Sequence, residues 1–182
     1  MGTNSTAYYF SVASSSIANF FDEMYLNTPW EQHYDNLDGR TILDRLASVK
    51  YFVVKKGEEA YLPYGYSRLC GQAEKKSKTY LAYANEDALP LGYTYDSWIS
   101  EKDYSEMSVT EKQQALLQGV VLKESFLPKA ELSFNDQEIP YYTSEGKGCR
   151  LKNGKIIVTS ENAQLKLVFE GEENAETYLV AE

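Results

Sequence analysis

Histidine is nearly absent from this chain: His33 is the only imidazole among 182 residues, and Cys70 and Cys149 are the only thiols. That scarcity leaves no Cys/His set with zinc spacing and no C-x-x-C redox pair. A G-x-S-x-G nucleophile elbow is missing too, as are the G-x-x-x-x-G-K-[ST] phosphate loop and the G-x-G-x-x-G turn. Long apolar runs are lacking. Stretches such as 115–122 and 156–158 fall far short of the roughly 18–20 residues that a membrane helix needs. Nor does a cationic and apolar leader open the chain. Basic charge is in deficit, with 18 Lys and Arg against 27 Asp and Glu and a net charge of −9. This balance argues against a phosphate-tracking nucleic-acid binder and against adhesion to an anionic membrane surface. We therefore expect no nucleic-acid partner, no cofactor and no metal.

What is present is ordinary globular composition with one excess. Hydrophobic residues make up 43% and charged residues 25%, enough for a core and against wholesale disorder. The length fits one domain or two small ones. Tyrosine is the excess, at 16 residues against 7 phenylalanines and 2 tryptophans. Tyrosine packs its ring on a half-exposed sheet and keeps its hydroxyl wet, so the count predicts strands; it would also furnish aromatic platforms for sugar rings.

Apolar Ile17, Phe20, Phe21, Met24 and Tyr25 recur at helical spacing, which predicts an amphipathic helix with Ser14 or Ser15 as its N-cap. A second short helix is expected over 41–47 and a buried strand over 51–54. Segments 61–66 and 79–84 flank a Lys-, Gln-, Gly- and Ser-rich stretch that reads as a hairpin or loop. Residues 89–95 carry Pro90 and Gly92, which exclude a helix, while Tyr93 and Tyr95 alternate as in a strand. Ser108 and Glu111 form a capping box before the clearest helix in the chain. Beyond Pro128, short apolar runs at 130–134, 139–142, 156–159, 165–169 and 178–180 are separated by Gly- and Asn-containing turns, the pattern of an antiparallel sandwich. The expected fold class is α+β: a mixed α/β part over 1–127 packed on a sandwich-like part over 128–182. The strand-like run that reaches the last residues reads as a chain cut from something longer.

Few motifs carry chemistry. D-N-L-D-G at 35–39 resembles a calcium loop, but aligning Gly39 with the sixth loop position puts Tyr34 first and Arg45 twelfth, where carboxylates are required. An Asx-type turn is the better reading. Acid pairs such as Asp22/Glu23 and Glu172/Glu173 abound, yet none is marked as the facing pair of a glycoside hydrolase. No catalytic residue is assigned. Trp30, His33, Tyr34 and Arg40 form the densest group of recognition side chains, able to offer a ring to a glycan and a guanidinium to an anion. Alternatively, Trp30 pins the turn and Arg40 pairs with Asp38 or Asp44. Trp98 is a further aromatic glycan-binding candidate. Cys70 and Cys149 are compatible with a disulfide or with two free thiols.

Several stretches together resemble the YfhO family of bacterial polytopic membrane proteins. They are L-D-G-R-T-I-L at 37–43, L-A-S-V-K-Y-F-V at 46–53, Y-A-N-E-D-A-L-P-L-G-Y-T-Y-D-S-W-I-S at 83–100 and Q-A-L-L at 114–117. The resemblance covers roughly residues 5–125, and the A-L-P-L-G-Y-T-Y-D-S block is its most specific part. It implies a multi-span parent whose soluble domain lies on the outer face of the cytoplasmic membrane, joined to a membrane-embedded remainder. It further implies a parent similar to glycosyltransferases that use lipid-linked sugars, tied to the sugar decoration of cell-wall teichoic acid. Because this stretch holds no membrane span, its own expected role is noncatalytic support of sugar transfer to, or export of, such a polymer, with a cell-wall glycan as partner. Some relatives are labelled transport permeases, which leaves a purely structural role open. A free-standing glycan hydrolase or carbohydrate-binding module is the other alternative. Lys75–Lys78 and Cys70 depart from what the family leads one to expect.

Overall fold

The first helix, α1 (Ser15–Glu23), follows its apolar periodicity: Phe21 and Met24 are buried, and Ile17 and Phe20 pack beside them. It closes without glycine. Leu26 N–H donates to the Phe21 carbonyl at 2.9 Å and Tyr25 N–H to that of Asp22 at 3.1 Å, the paired bonds of a Schellman motif. Tyr25 holds the left-handed position at φ 48°. This turn swings Tyr25 off the apolar stripe to which its spacing assigned it, leaving it exposed, while Leu26 takes the core place. The second helix, α2 (Thr41–Leu46), ends the same way. Val49 N–H reaches the Asp44 carbonyl, Ser48 N–H reaches that of Arg45, and Ser48 sits at φ 59°.

The structure, a computed structural model, describes residues 8–9, 14–26, 33–34, 36–152, 155–173 and 175–180. Helices and mainly antiparallel strands give the α+β class. The chain divides into two compact units, Met1–Asn135 and Asp136–Glu182.

In the first unit, β1 (Tyr8–Tyr9) pairs antiparallel with β2 (His33–Tyr34). Three further strands, β3 (Tyr51–Lys55), β4 (Tyr66–Lys75) and β5 (Lys78–Asn85), form an antiparallel sheet in the order β3-β5-β4. The polar stretch between 66 and 79 is thus ladder rather than loop, with Lys76 and Ser77 as its two-residue turn. Its polar side chains suit the solvent-facing edge strand β4. Parallel strands β6 (Trp98–Ser100) and β7 (Val120–Leu122) are connected through α3 (Glu101–Ser105) and α4 (Val109–Ala115). Ser108 and Glu111 make both hydrogen bonds of the expected capping box. The core joins α1, α2, β6, α3 and α4 through Phe21, Met24, Leu26, Leu37, Leu43, Ile99, Tyr104 and Ala115. Lys112 on α4 ties back to Glu23 on α1 at 3.0 Å.

Two expected strands in this unit take other forms. Residues 89–95 have no ladder partner; Pro90 lacks a donor, and the segment is held by Leu89 N–H on the Arg45 carbonyl and by the Tyr93 and Tyr95 hydroxyls on those of Leu46 and Leu116. Residues 130–134 do alternate, with Ala130, Leu132 and Phe134 turned to the core. Glutamine side chains replace a neighbouring strand: Gln118 accepts from Ser133 N–H and donates to its carbonyl, both at 2.9 Å. Gln114 accepts from Asn135 N–H at 2.8 Å.

In the second unit, β8 (Tyr141–Lys147) pairs with β11 (Gln164–Phe169), and β9 (Cys149–Lys152) with β10 (Lys155–Val158), all antiparallel. Gly148 makes the corner after β8 at φ 68°; a Cβ there would lie 2.0 Å from Ser160 Oγ, so glycine is required. Residues 178–180 form no strand. Both cysteines are free thiols: Cys70 donates to the Ala82 carbonyl and Cys149 to that of Gln164.

Candidate functional site

The densest meeting of recognition side chains and tight turns is the corner at 36–41, where the chain enters α2. Asn36 and Asp38 adopt left-handed backbone at φ 48° and 55°, followed by Gly39 at 65°. The Asn36 side chain accepts from Asp38 N–H at 2.7 Å, an Asx-type turn, so D-N-L-D-G is a turn built by its own side chains. Gly39 approaches Pro63 so closely that a Cβ would stand 3.1 Å from the proline ring. Thr41 Oγ donates to the Tyr64 carbonyl, fixing the same loop from the other side.

Arg40 is the hub. Its guanidinium donates to the Met24 carbonyl at 2.7 Å and the Tyr25 carbonyl at 3.0 Å, and Asp38 lies 3.5 Å away. These are acceptors left over by the closing turn of α1, where the helix dipole also favours a cation. The expected pairing with Asp38 therefore exists, and the helix end takes the rest of the fork. Their backbone carbonyls tie two tyrosines to this corner, Tyr25 through Arg40 and Tyr64 through Thr41, and these are 51% and 49% exposed. Tyr61, 77% exposed, stands three residues before Tyr64 in the segment that leads to Pro63.

Beneath the corner lies a buried polar set. Tyr66 Oη stands 3.0 Å from Asp44 Oδ2 and 2.9 Å from the Val49 carbonyl. Burial, then the Asp44 charge, pushes the Tyr66 phenol well above its usual pKa. Such a tyrosine is a neutral donor at working pH, a fixing bolt rather than a base.

The other sequence candidates are distributed as follows. Trp30 lies outside the described residues; His33 and Tyr34 form β2 opposite Tyr9 and Tyr8. Trp98 begins β6, with Lys129 Nζ 5.8 Å over its ring. Lys129 also reaches Asp103 at 3.2 Å, and hydrogen bonding from Ser100 and then Lys129 holds that carboxyl below its ordinary pKa. Arg40 and Trp98 thus stand on separate elements. Tyr61 and Tyr64 escaped sequence reasoning because they belong to a Pro- and Gly-containing loop with no periodicity; the exposure of Tyr25 was masked by its helical spacing. Among the described residues no group of three or more His, Cys, Asp or Glu is placed to hold a metal ion. No helix among them is long and apolar enough to cross a membrane.

Comparison with known proteins adds the parentage. The family model "Bacterial membrane protein YfhO" matches residues 1–182. The chain is 26% identical over 164 residues to "Uncharacterized protein YfhO" of Bacillus subtilis (strain 168), a match that covers 88% of this chain and 18% of that relative. The chain thus spans about a fifth of the relative's length. No solved structure matches it. A match along its whole length, together with L-D-G-R folded as the corner that closes α1 and opens α2, means that the chain belongs to the YfhO family of bacterial membrane proteins.

Proposed function

We propose that this chain is a noncatalytic extracytoplasmic domain of a multi-span membrane protein, supporting sugar transfer to, or export of, a cell-wall polymer such as teichoic acid. Its contact with the polymer is made at the Arg40 corner. The observation that carries this reading is that exposed Tyr25 and Tyr64 are both held to one tightly hydrogen-bonded turn, with exposed Tyr61 on the same loop as Tyr64. Aromatic faces stack on the apolar faces of sugar rings, and a rigid base lowers the entropic cost of holding them. Trp30, His33 and Tyr34, which precede this corner in the sequence, and Trp98 on β6 are kept as further glycan-binding candidates. The membrane-embedded remainder of the parent performs the chemistry. The proposed glycan contact at the Arg40 corner falls within 1–127, the expected α/β part.

Calorimetric titration of the chain with teichoic-acid fragments tests the proposal. Saturable binding at millimolar or tighter affinity is expected, weakened several-fold by Tyr61→Ala with Tyr64→Ala. Absence of heat at millimolar ligand would overturn it in favour of a purely structural domain. Turnover of a glycan panel by the isolated chain would overturn it in favour of a hydrolase.

A further inference from the structure

The β3-β5-β4 sheet has two unlike faces. Directly opposed residues share a face, so Tyr51, Val53 and Lys55 line up with Ala84, Ala82 and Tyr80 on β5, and these with Arg68, Gly71 and Ala73 on β4. The other face carries Val54 and Leu81, both buried, and Phe52, whose ring meets that of Tyr66 at 5.5 Å. The first face is open at Tyr51 and Val53, which are 55% and 58% exposed, although Ala84 between Tyr51 and Arg68 is buried. Lys75 and Lys78, opposed in the last pair of the hairpin, extend it toward the turn. Lys76 is in that turn, and Lys56, whose N–H meets the Thr79 carbonyl, lies at the same end of the sheet.

Five lysines (55, 56, 75, 76 and 78) therefore meet at one end of an open aromatic and aliphatic strip. Glu58 engages Lys55 at 3.0 Å; among the described residues Lys56, Lys75, Lys76 and Lys78 are exposed and in no ion pair. Glu58, Glu59 and Glu74 are the acids of the same segments, which leaves 13 of the 18 basic side chains against 24 of the 27 acidic ones for the rest of the chain. The net charge of −9 thus conceals a locally cationic end.

We propose that this face docks onto a bilayer bearing anionic phosphodiester headgroups, with Tyr51, Val53 and Tyr80 entering the interfacial layer and Lys75, Lys76 and Lys78 engaging the phosphates. Two observations select a lipid surface over a dissolved polyanion. A bilayer interface accommodates both the apolar strip and the lysines, whereas a hydrated phosphate polymer gains nothing from exposed Val53. The chain also belongs to a membrane-protein family, so a bilayer is within tether reach and its effective concentration is high. The strongly acidic remainder is repelled by the same surface, which fixes orientation.

The test is co-sedimentation of the 182-residue chain with phosphatidylcholine vesicles, with and without phosphatidylglycerol. Binding is expected only with phosphatidylglycerol, falling as salt rises. Neutralising Lys75, Lys76 and Lys78 to Gln should cost roughly fivefold in affinity per lysine. Lys75→Glu with Lys78→Glu leaves the Lys76–Ser77 turn untouched and should abolish binding. Lys102→Gln, Lys123→Gln and Lys166→Gln together should leave it unchanged. Equal binding to both vesicle types would overturn the proposal, as would indifference to the hairpin lysines, or capture of soluble polyglycerol phosphate without vesicle binding.

Discussion

Arg40 closes a helix to which it does not belong: its Nη1 stands 2.7 Å from the Met24 carbonyl, 16 residues back along the chain. A Schellman turn satisfies two carbonyls at the end of α1, and the guanidinium takes two further ones. The consequence is a polar tie between the end of α1 and the start of α2, added to the core that the two helices share. It also gives the L-D-G-R stretch a physical reason to be specific. Gly39 meets Pro63 where a side chain would press on the ring, Asp38 steadies the fork, and only arginine offers two parallel donors in one plane.

Arg40→Ala should therefore destabilise the first unit. Hydrogen bonds from a charged donor are worth about 1.5–3 kcal/mol each way, and this fork is part-buried, so a net loss of about 2 kcal/mol is expected. Arg40→Lys should recover less than half, because a single ammonium cannot span both carbonyls. Urea melts of the three proteins measure this. Equal stability of wild type and Arg40→Ala would show that water replaces the fork at no cost.

Alkali offers a second handle. Burial and then the Asp44 charge raise the Tyr66 phenol, burial and then Glu23 raise that of Tyr104, and burial with Tyr93 pushes Tyr95 up to about 12. A tyrosine with a raised folded-state pKa contributes its full stabilisation below the free value near 10, and loses it as pH climbs toward the folded value. Stability should hold flat through neutrality and fall from about pH 10 upward. Tyr66→Phe should cost about 1–3 kcal/mol at neutral pH, since Asp44 loses a donor while remaining buried. The same variant should show a shallower alkaline decline, because two raised phenols remain instead of three. Denaturant melts across that range decide it; an unchanged slope would remove Tyr66 from the account.

Much of this architecture was legible in the residues. Helical spacing located α1, the 108–111 box located the start of α4, and Gly-punctuated apolar runs located β8, β10 and β11. The failures share a cause: partners far away in sequence. The alternation at 130–134 is real, but Gln114 and Gln118 supply the hydrogen bonds that a strand would have supplied, and no local rule announces that. The polar stretch before residue 79 read as either hairpin or loop, and the hairpin is what forms, β4 turning at Lys76 and Ser77 into β5 with β3 on its other side. The candidate site was half visible. Arg40 stood out by type and neighbours, whereas Tyr25 and Tyr64 join it only through their backbone carbonyls, from two separate segments.

The least legible feature is the placement of left-handed backbone on residues other than glycine, and it supplies the last prediction. Ser48 ends α2 at φ 59°, and Lys76 and Ser77 form the β4–β5 turn at φ 50° and 60°. Both sites are ones where glycine or asparagine is normally favoured, because a Cβ crowds the following carbonyl there. Ser48→Gly should raise stability by about 0.5–1 kcal/mol, the steric relief exceeding the added freedom of the unfolded chain. Lys76→Asn with Ser77→Gly should give a gain of about 1 kcal/mol by installing the favoured hairpin pair. The turn variant carries a second consequence: it strengthens the hairpin while removing one lysine from the cationic end. If the sheet docks on anionic vesicles as proposed, that protein should melt higher and bind less tightly than wild type. A rise in both quantities would mean that hairpin rigidity, not lysine charge, governs the docking, and would count against the electrostatic mechanism.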